Sequence, residues 1–499
     1  MSTSNPVVGI DAGTSTFEVS KISNTGMATP VEFPEGGTVL RSVVYFENGE
    51  TPIVGQEAEN MLLVDPSNGV RHWKRHMGSK EILSVNATGQ ECRAVDLLVF
   101  LLLYCKSAFE NDTHLVCREA VISVPANYND AQKEETIQAA KAAGFDHVRL
   151  MHEPTAAMFS RLGNNDRNVP DGLRIVVDVG GGTTDISLCE KIGNRYEIKA
   201  TSGVPELGGM DFTQTIVDYC VEEYRNASGV QLTAESHRDE FADIWRRCED
   251  GKLRLNRCDR ITVPIVVGAD KHQVVITKDQ MRQMWRPLID RLLQCVGQTV
   301  EEASVALEDT LELIPIGGGS QLVCVQGELA RFFGRSLSNH ADPIHAVANG
   351  AVLKGWEDLG EVKVDRATIL PSRGYALRDV TGHALGIRAF DEADVEHFAP
   401  ILDKGVQLPS CHQKSFRLRE AGATEVLIEV YQGDPGQDLA DCLKLGEFEL
   451  TGLPAIVDRP HKIEIELRID ANGMLTATAY DPESGKKAEL QITYKRKAA

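Results

Sequence analysis

The sequence predicts an α/β region made of two halves that face each other across a cleft, followed by a separate all-β module. Three observations carry that expectation. An apolar run with β-branched residues, Arg174 to Val179, enters the turn Gly180-Gly181-Gly182, and a second apolar segment leaves it through Ile186 and Leu188. This reads as strand, tight turn, strand. The same pattern opens the chain: Val7 to Ile10, the turn Asp11-Ala12-Gly13-Thr14-Ser15, then a strand through Phe17 to Ile22. Two such hairpins suggest duplicated halves. Finally, from about Val362 helical periodicity gives way to short alternating strands. Val426, Ile428 and Val430 share one face there, and Ile463, Ile465, Leu467 and Ile469 alternate again.

Glycine lets backbone approach a ligand where side chains would block it, so successive N–H groups can converge on an anion such as phosphate. Asp178 and Asp185 bracket the second turn. That placement disfavours phosphate unless a cation is present, which points to a metal-assisted nucleotide-phosphate loop. For the second turn alone, a glycine-rich hairpin without a ligand is an equal alternative, and the single Asp-x-Gly-Thr turn at Asp11 is weak evidence. Two opposed turns can hold a polyphosphate and its metal from both sides.

The length of 499 residues suits two to four domains. A net charge of −21 argues against nonspecific binding to nucleic acid or anionic membrane. Met1 to Pro6 lacks a basic region followed by an apolar core. The run Val95 to Cys105 is far shorter than the roughly 20 residues that span a bilayer, and reads as a buried helix. Eleven cysteines without a Cys-x-x-Cys pair fit reduced thiols in a cytoplasmic protein.

Between the two hairpins, Lys74-Arg75-His76-Met77-Gly78 offers cations. A strand from Glu119 stops at Pro125, and a helix from Asp130 to Ala143 ends at Gly144. Strand Val148 to Met151 leads into Glu153-Pro154, with Pro154 as the first helical residue. Read alone, Glu153 is a solvated cap. A loop holds Gly208-Gly209-Met210-Asp211, and Phe212 to Asn256 is largely helical. Glu249 and Lys252 lie one turn apart there, alone an exposed pair. Strands near Ile261 to Val267 and Val274 to Ile276 precede a helix from Lys278 to Ala303. Leu313 to Ile316 is a third strand ending in Gly317-Gly318-Gly319, and the helix from Leu322 could receive a ligand at its N-terminus. Asp342 to Trp356 reads as the last helix of this region. The β-module of about 130 residues fits a small sandwich whose last strand runs from Ala488 to Tyr494.

In this order and spacing the motifs resemble those of the DnaK-type heat shock protein 70 chaperones, from about Val7 to Tyr494. The turns at Asp11 and Asp178 resemble that family's two phosphate loops. Glu153-Pro154-Thr155-Ala156-Ala157 matches a signature, Gly208-Gly209-Met210-Asp211-Phe212 resembles Gly-Gly-x-Asp-Phe, and Gly317-Gly318-Gly319-Ser320 resembles the adenosine loop. The resemblance implies an α/β actin-like two-lobed ATPase domain followed by an all-β sandwich domain, with ATP or ADP, Mg2+ and K+ as cofactors. It implies that Asp11 and Asp178 hold the hydrated metal, and that Gly13, Thr14, Ser15, Gly180, Gly181, Gly182, Gly208 and Gly209 surround the phosphates. Lys74 would lie against the γ-phosphate and attacking water, with Glu153 ordering that water and Thr183 touching the γ-phosphate. Glu249, Lys252, Asn256, Gly317, Gly318, Gly319 and Gln321 would line the nucleoside pocket. Phe416, Val426 and Ile428 would contact an extended apolar peptide, although alternating apolar residues are also what any sandwich core needs.

These motifs divide the chain into a nucleotide-binding domain over 1–360, a linker over 361–370 and a substrate-binding β-sandwich over 371–499, without the family's helical lid. The linker region carries Asp365 and Arg366 where the family has leucines, and burying them would cost several kcal/mol unless they paired. That predicts altered coupling between domains and altered use of a J-domain cochaperone and a nucleotide exchange factor. Gln321 and Asn256 replace an arginine and a serine, which predicts weaker nucleotide binding. The expected function is a cytoplasmic, slowly hydrolysing ATPase that binds unfolded or apolar polypeptide, with no nucleic acid or membrane partner. The alternatives are a nucleotide-gated protein for one dedicated partner and a small-molecule kinase of the actin-like superfamily.

Overall fold

A computed structural model describes residues 5–47, 52–62, 64–85, 91–126, 128–163, 169–233, 236–338, 342–391, 395–433, 436–456, 458–470 and 473–491. They fall into two compact units. One comprises Met1–Ala126, Glu135–Tyr196 and Ser202–Ala376; the other comprises Leu377–Ala499 with the short segments Asn127–Glu134 and Glu197–Thr201.

The first unit is built on two sheets of one pattern. In the first, strand Val7–Ala12 forms an antiparallel hairpin with Thr16–Ile22 and pairs in parallel with Glu119–Val124, which pairs in parallel with His147–His152. In the second, Gly172–Val179 forms an antiparallel hairpin with Thr184–Ile192 and pairs in parallel with Thr310–Ile316. The repeated turn in the sequence is thus a repeated strand arrangement. Near-continuous apolar strands are what such sheets demand, because both faces are covered. Ile175, Val176, Val177 and Val179 are all fully buried.

Helices cover the sheets at close range. The helix Ala346–Leu359 lies on the first sheet, and small residues set its distance. A Cβ at Gly9 would meet the Ala348 carbonyl oxygen at 2.3 Å, and one at Gly355 would meet the Val7 side chain at 2.5 Å. On its other side, a Cβ at Gly350 would fall 1.6 Å from the Ala156 carbonyl oxygen in helix Glu153–Gly163. In the second half, helices Gly209–Ser228, Arg238–Arg254 and Lys278–Glu302 bury Phe212, Tyr224, Cys248 and Trp285 in one core with the sheet. The Trp285 indole N–H donates to the Phe212 carbonyl at 3.0 Å, so the ring is buried without a lost hydrogen bond. The helix from Lys278 starts where its capping box sits, with the Thr277 hydroxyl accepting from the Gln280 N–H.

In residues 361–371 the two charges that would be costly to bury are not buried. Glu361–Lys363 pairs antiparallel with Ile369–Pro371, and the turn between them presents its charges outward. Val362 and Val364 take the buried positions, while Arg366 is exposed and half-buried Asp365 accepts from the Ala367 and Thr368 N–H groups at 2.7 Å each. The desolvation cost does not arise, because alternation buries the valines and the carboxylate closes the turn.

The second unit is a β-sandwich. One sheet runs in the order Glu396–Leu402, Ala384–Phe390, Glu425–Gly433, Leu443–Thr451; the other runs Ser410–Ala421, Pro460–Ile469, Leu475–Tyr480, Lys487–Gln491. Ile463, Ile465, Leu467 and Ile469 are buried in its core, as period-two alternation requires. The predicted last strand is described to Gln491; its continuation to Tyr494 lies outside the described residues.

The helix crossing at Gly350 yields a stability prediction. Gly350→Ala forces a methyl into the Ala156 backbone, so the two helices must separate. The expected loss is about 2 kcal/mol or more, read from a lowered urea midpoint at unchanged m-value.

Candidate nucleotide and cation site

The two glycine turns face each other. An added Cβ at Gly181 would lie 2.1 Å from Ser15 Oγ, and one at Gly182 would lie 2.9 Å from Thr14 Oγ1. Only glycine on one side permits this approach. Within the second turn the Gly180 N–H donates to the Thr183 carbonyl at 2.9 Å.

A third loop backs the second turn from within the same half. The Gly209 N–H donates to the Gly180 carbonyl at 2.9 Å and the Met210 N–H to the Gly181 carbonyl at 2.8 Å. Lys252, buried in its helix, donates to the Gly209 carbonyl at 2.7 Å and the Thr213 hydroxyl at 2.9 Å. Burial lowers the pKa of its ammonium. The Gly317-Gly318-Gly319 turn closes the other side of the strand. Gly317, at a φ of +77°, would bring a Cβ within 2.3 Å of Asp178 Oδ1. Asn256 links this turn to the helix that carries Glu249: its amide donates to the Gln321 carbonyl at 3.1 Å and accepts from the Val323 N–H at 3.0 Å. Glu249 itself lines an opening shared with Thr14, Ser15, Arg71, His72 and Trp245.

Lys74 sits on a 3-10 turn, Trp73–His76, and its ammonium donates to Glu153 Oε1 at 2.8 Å. Both are buried, so Glu153 is not the solvated cap its junction position suggests. Near them lie Asp11, Asp178 and Asp185. Asp11 Oδ1 accepts from the Ser123 hydroxyl at 2.5 Å, and Asp185 Oδ1 accepts from the Ala126 N–H at 2.8 Å. Asp185 Oδ2 is buried without a hydrogen-bond partner.

Burial, and then the charge of Glu153, push the Asp11 carboxyl up to about 6 and that of Asp185 up to about 7. The same two causes, with Asp11 and Asp185 adding to them, hold Asp178 well above the usual carboxylate range. Glu18, opposite Asp11 in the hairpin, is raised by burial and then by the Asp11 charge. Lys74 offsets only part of this repulsion. Such a cluster fits a hard divalent cation, and the apposed glycine turns fit phosphate oxygens. Among the described residues no three His, Cys, Asp or Glu side chains converge closely enough to ligate a bare ion. Mg2+ commonly keeps several of its waters and takes one or two carboxylates.

The structure therefore brings Asp11, Gly13, Thr14, Ser15, Lys74, Glu153, Asp178, Thr183 and the glycines of all three turns into one region. The second unit holds Phe416, Val426 and Ile428 differently: Phe416 and Val426 pack half-buried against the sandwich core, and Ile428 lies within it. Sequence reasoning missed Arg75, whose guanidinium donates to the Gly182 carbonyl and to Asp211 Oδ2 at 2.7 Å each. It thereby ties the segment after Trp73 to the second turn. It also missed Glu18, a carboxylate between the buried Phe17 and Val19, which counting across the hairpin would have placed opposite Asp11.

Two sheets of one pattern, paired turns over a carboxylate cluster and an appended β-sandwich define a two-lobed actin-like ATPase fold with a β-sandwich domain. The model of the Hsp70 protein family matches residues 7–83 and 79–499. The chain belongs to the Hsp70 family. It is 30% identical to the chaperone protein DnaK of Cenarchaeum symbiosum (strain A) over 496 residues, 97% of this chain and 72% of that protein. It is 29% identical to the chaperone protein DnaK of Nitrosopumilus maritimus (strain SCM1), over 98% of this chain and 76% of the relative. The mitochondrial heat shock 70 kDa protein of Pisum sativum is 30% identical, over 98% and 73% respectively.

The raised carboxyls make stability fall with pH in the absence of a cation. The folded protein binds more protons than the unfolded chain between about pH 4, the ordinary carboxyl value, and about pH 7, the raised one, so stability declines as pH rises through that window. In EDTA, the difference in urea midpoint between pH 5 and pH 8 is expected to shrink in Asp185→Asn and on adding Mg2+ to the wild type. An undiminished difference in both would show that the cluster is not its source.

Proposed function

We propose that this protein is an ATP-dependent chaperone whose cleft binds ATP with Mg2+ and hydrolyses it slowly, and whose β-sandwich binds extended apolar polypeptide. The observation that carries the reading is the buried Lys74–Glu153 pair at 2.8 Å beside the carboxylates of both phosphate turns. Phosphoryl transfer to water depends on positioning and charge stabilisation, and needs no covalent nucleophile from the protein. When bound, Mg2+ supplies charge neutralisation on the phosphate oxygens. Asp11 and Asp178 would hold its waters, and K+ would share the same carboxylate surroundings. The Lys74 ammonium, exchanging part of its contact with Glu153 for the γ-phosphate, would stabilise the charge that develops there. Glu153 would then orient the attacking water, and Thr183 would donate to the γ-phosphate. Thr14, Ser15 and the turn N–H groups would fix the remaining oxygens, with Gly208 and Gly209 supporting the second turn. Glu249, Asn256, Gln321 and the glycine turn at Gly317 would receive the nucleoside, with Lys252 holding the neighbouring backbone.

The same reading assigns nucleotide binding to 1–360, a connecting segment to 361–370 and client binding to 371–499, with Phe416, Val426 and Ile428 at or beneath the client strand. Unfolded segments would be the clients, with a J-domain cochaperone and a nucleotide exchange factor as the implied partners.

Lys74→Ala is expected to lower single-turnover phosphate release about a hundredfold while ATP still binds. A rate equal to wild type would remove Lys74 from the chemistry. In the wild type, an apolar peptide is expected to leave faster on addition of ATP; release that ignores ATP would favour a protein that binds nucleotide without chaperone action.

A further inference from the structure

The second phosphate turn has three consecutive carbonyls taken from outside it. Those of Gly180 and Gly181 accept from the Gly209 and Met210 N–H groups at 2.9 and 2.8 Å, both backbone donors of the loop behind the turn. The Gly182 carbonyl accepts instead from a side chain, Arg75 Nη2, at 2.7 Å. The same nitrogen donates to Asp211 Oδ2 at 2.7 Å, an oxygen that also accepts the Gly208 N–H at 2.7 Å. Both hydrogens of Nη2 are thus engaged, which fixes the guanidinium between the turn and the loop behind it. In a trans peptide, as Gly182–Thr183 is, the carbonyl and the following N–H point to opposite sides. By holding the Gly182 carbonyl, Arg75 therefore sets the Thr183 N–H to the side away from itself. Among the described residues no acceptor takes that N–H. Gly182, lacking a side chain, would otherwise leave this peptide free to rotate. The clamp comes from the residue next to Lys74, 107 positions before Gly182.

We propose that Arg75 is a positioning residue for the hydrolysis of bound ATP: it holds the Gly182–Thr183 peptide so that its N–H is presented to the γ-phosphate, and it ties that setting to the segment that carries Lys74. The inference rests on reading the cleft as an ATP site. A donor set in place beforehand has no reorganisation to undergo as charge develops on the phosphate oxygens. The effect is selective. The Gly181 and Gly182 N–H groups are set by backbone donors whether or not Arg75 is present, and ADP lacks the γ-phosphate, so the clamp bears on ATP and on the transition state.

The test uses the full-length protein with Mg2+ and reads the urea midpoint, single-turnover phosphate release, and the affinity for ADP alone and with beryllium fluoride, which occupies the γ-phosphate position. In Arg75→Ala the midpoint is expected to stay close to wild type, since the Arg75–Asp211 pair is partly exposed and such pairs add little to stability. ADP affinity is expected within about twofold of wild type, while affinity for ADP with beryllium fluoride and the rate of phosphate release each fall about tenfold or more. Arg75→Lys, which keeps a charged donor but not the planar fork, is expected to fall between Arg75→Ala and wild type. Equal weakening of ADP with and without beryllium fluoride would overturn the proposal, because it would mark a general loosening of the site. Phosphate release at the wild-type rate in Arg75→Ala would overturn it as well. Lys74→Ala is the control: if it loses phosphate release while Arg75→Ala does not, only the role of Arg75 fails. If the wild type neither binds ADP with beryllium fluoride nor releases phosphate, the underlying reading of the cleft fails too.

Discussion

Two loops from different sheets meet so closely that one methyl group at Gly181 would overlap Ser15. Everything else in the first unit serves that approach. It is possible because the facing positions lack side chains, and it is held because each loop is anchored elsewhere. The first grows from a hairpin whose strands are buried. The second is backed by Gly209 and Met210, which donate into its carbonyls, and by Arg75, which reaches it from a segment a hundred residues earlier in the chain. With little freedom left in either loop, little ordering remains to be done when a polyphosphate enters.

The close approach has an electrostatic consequence. Strands that end at the turns deliver Asp11 and Asp178 together, and the strands beyond deliver Glu18 and Asp185. Burial raises the repulsion among them, because charges removed from water are poorly screened. Lys74 and the backbone and hydroxyl donors at Ala126 and Ser123 relieve part of it. The remainder is a standing demand for positive charge at the place where phosphate must also bind. A cation satisfies both requirements at once, so the unfavourable cluster becomes useful to a nucleotide site rather than a defect of the fold.

Much of this was legible in the sequence. The two hairpins, the sheet they repeat and the alternating strands of the sandwich follow from periods of apolar residues and from glycine turns, which are local properties of the chain. The turn residues at Asp11, Asp178 and Gly317 were likewise readable, because the glycine turn recurs after apolar strands, and two opposed turns have a use that one alone need not have. Glu153 was not readable by physics alone: beside Pro154 it resembles a helix cap, and its partner Lys74 is 79 positions away. Arg75 next to Lys74 offered no sign of which cation would turn toward which loop. For Asp365 and Arg366 the sequence showed what burial would cost, but not that a hairpin would bury Val362 and Val364 and leave the charges toward water.

The sequence by itself determined the elements, their order and the turns that lie at the strand ends, because periodicity and glycine act over a few residues. The tertiary structure alone decided which charges meet. Lys74 with Glu153, Arg75 with Gly182 and Asp211, and Glu18 behind Asp11 in sight of Asp178 all depend on the spacing of two sheets and the register of their hairpins. Electrostatic energy depends on distance through space and on burial, and neither quantity is written in the spacing of residues along a chain.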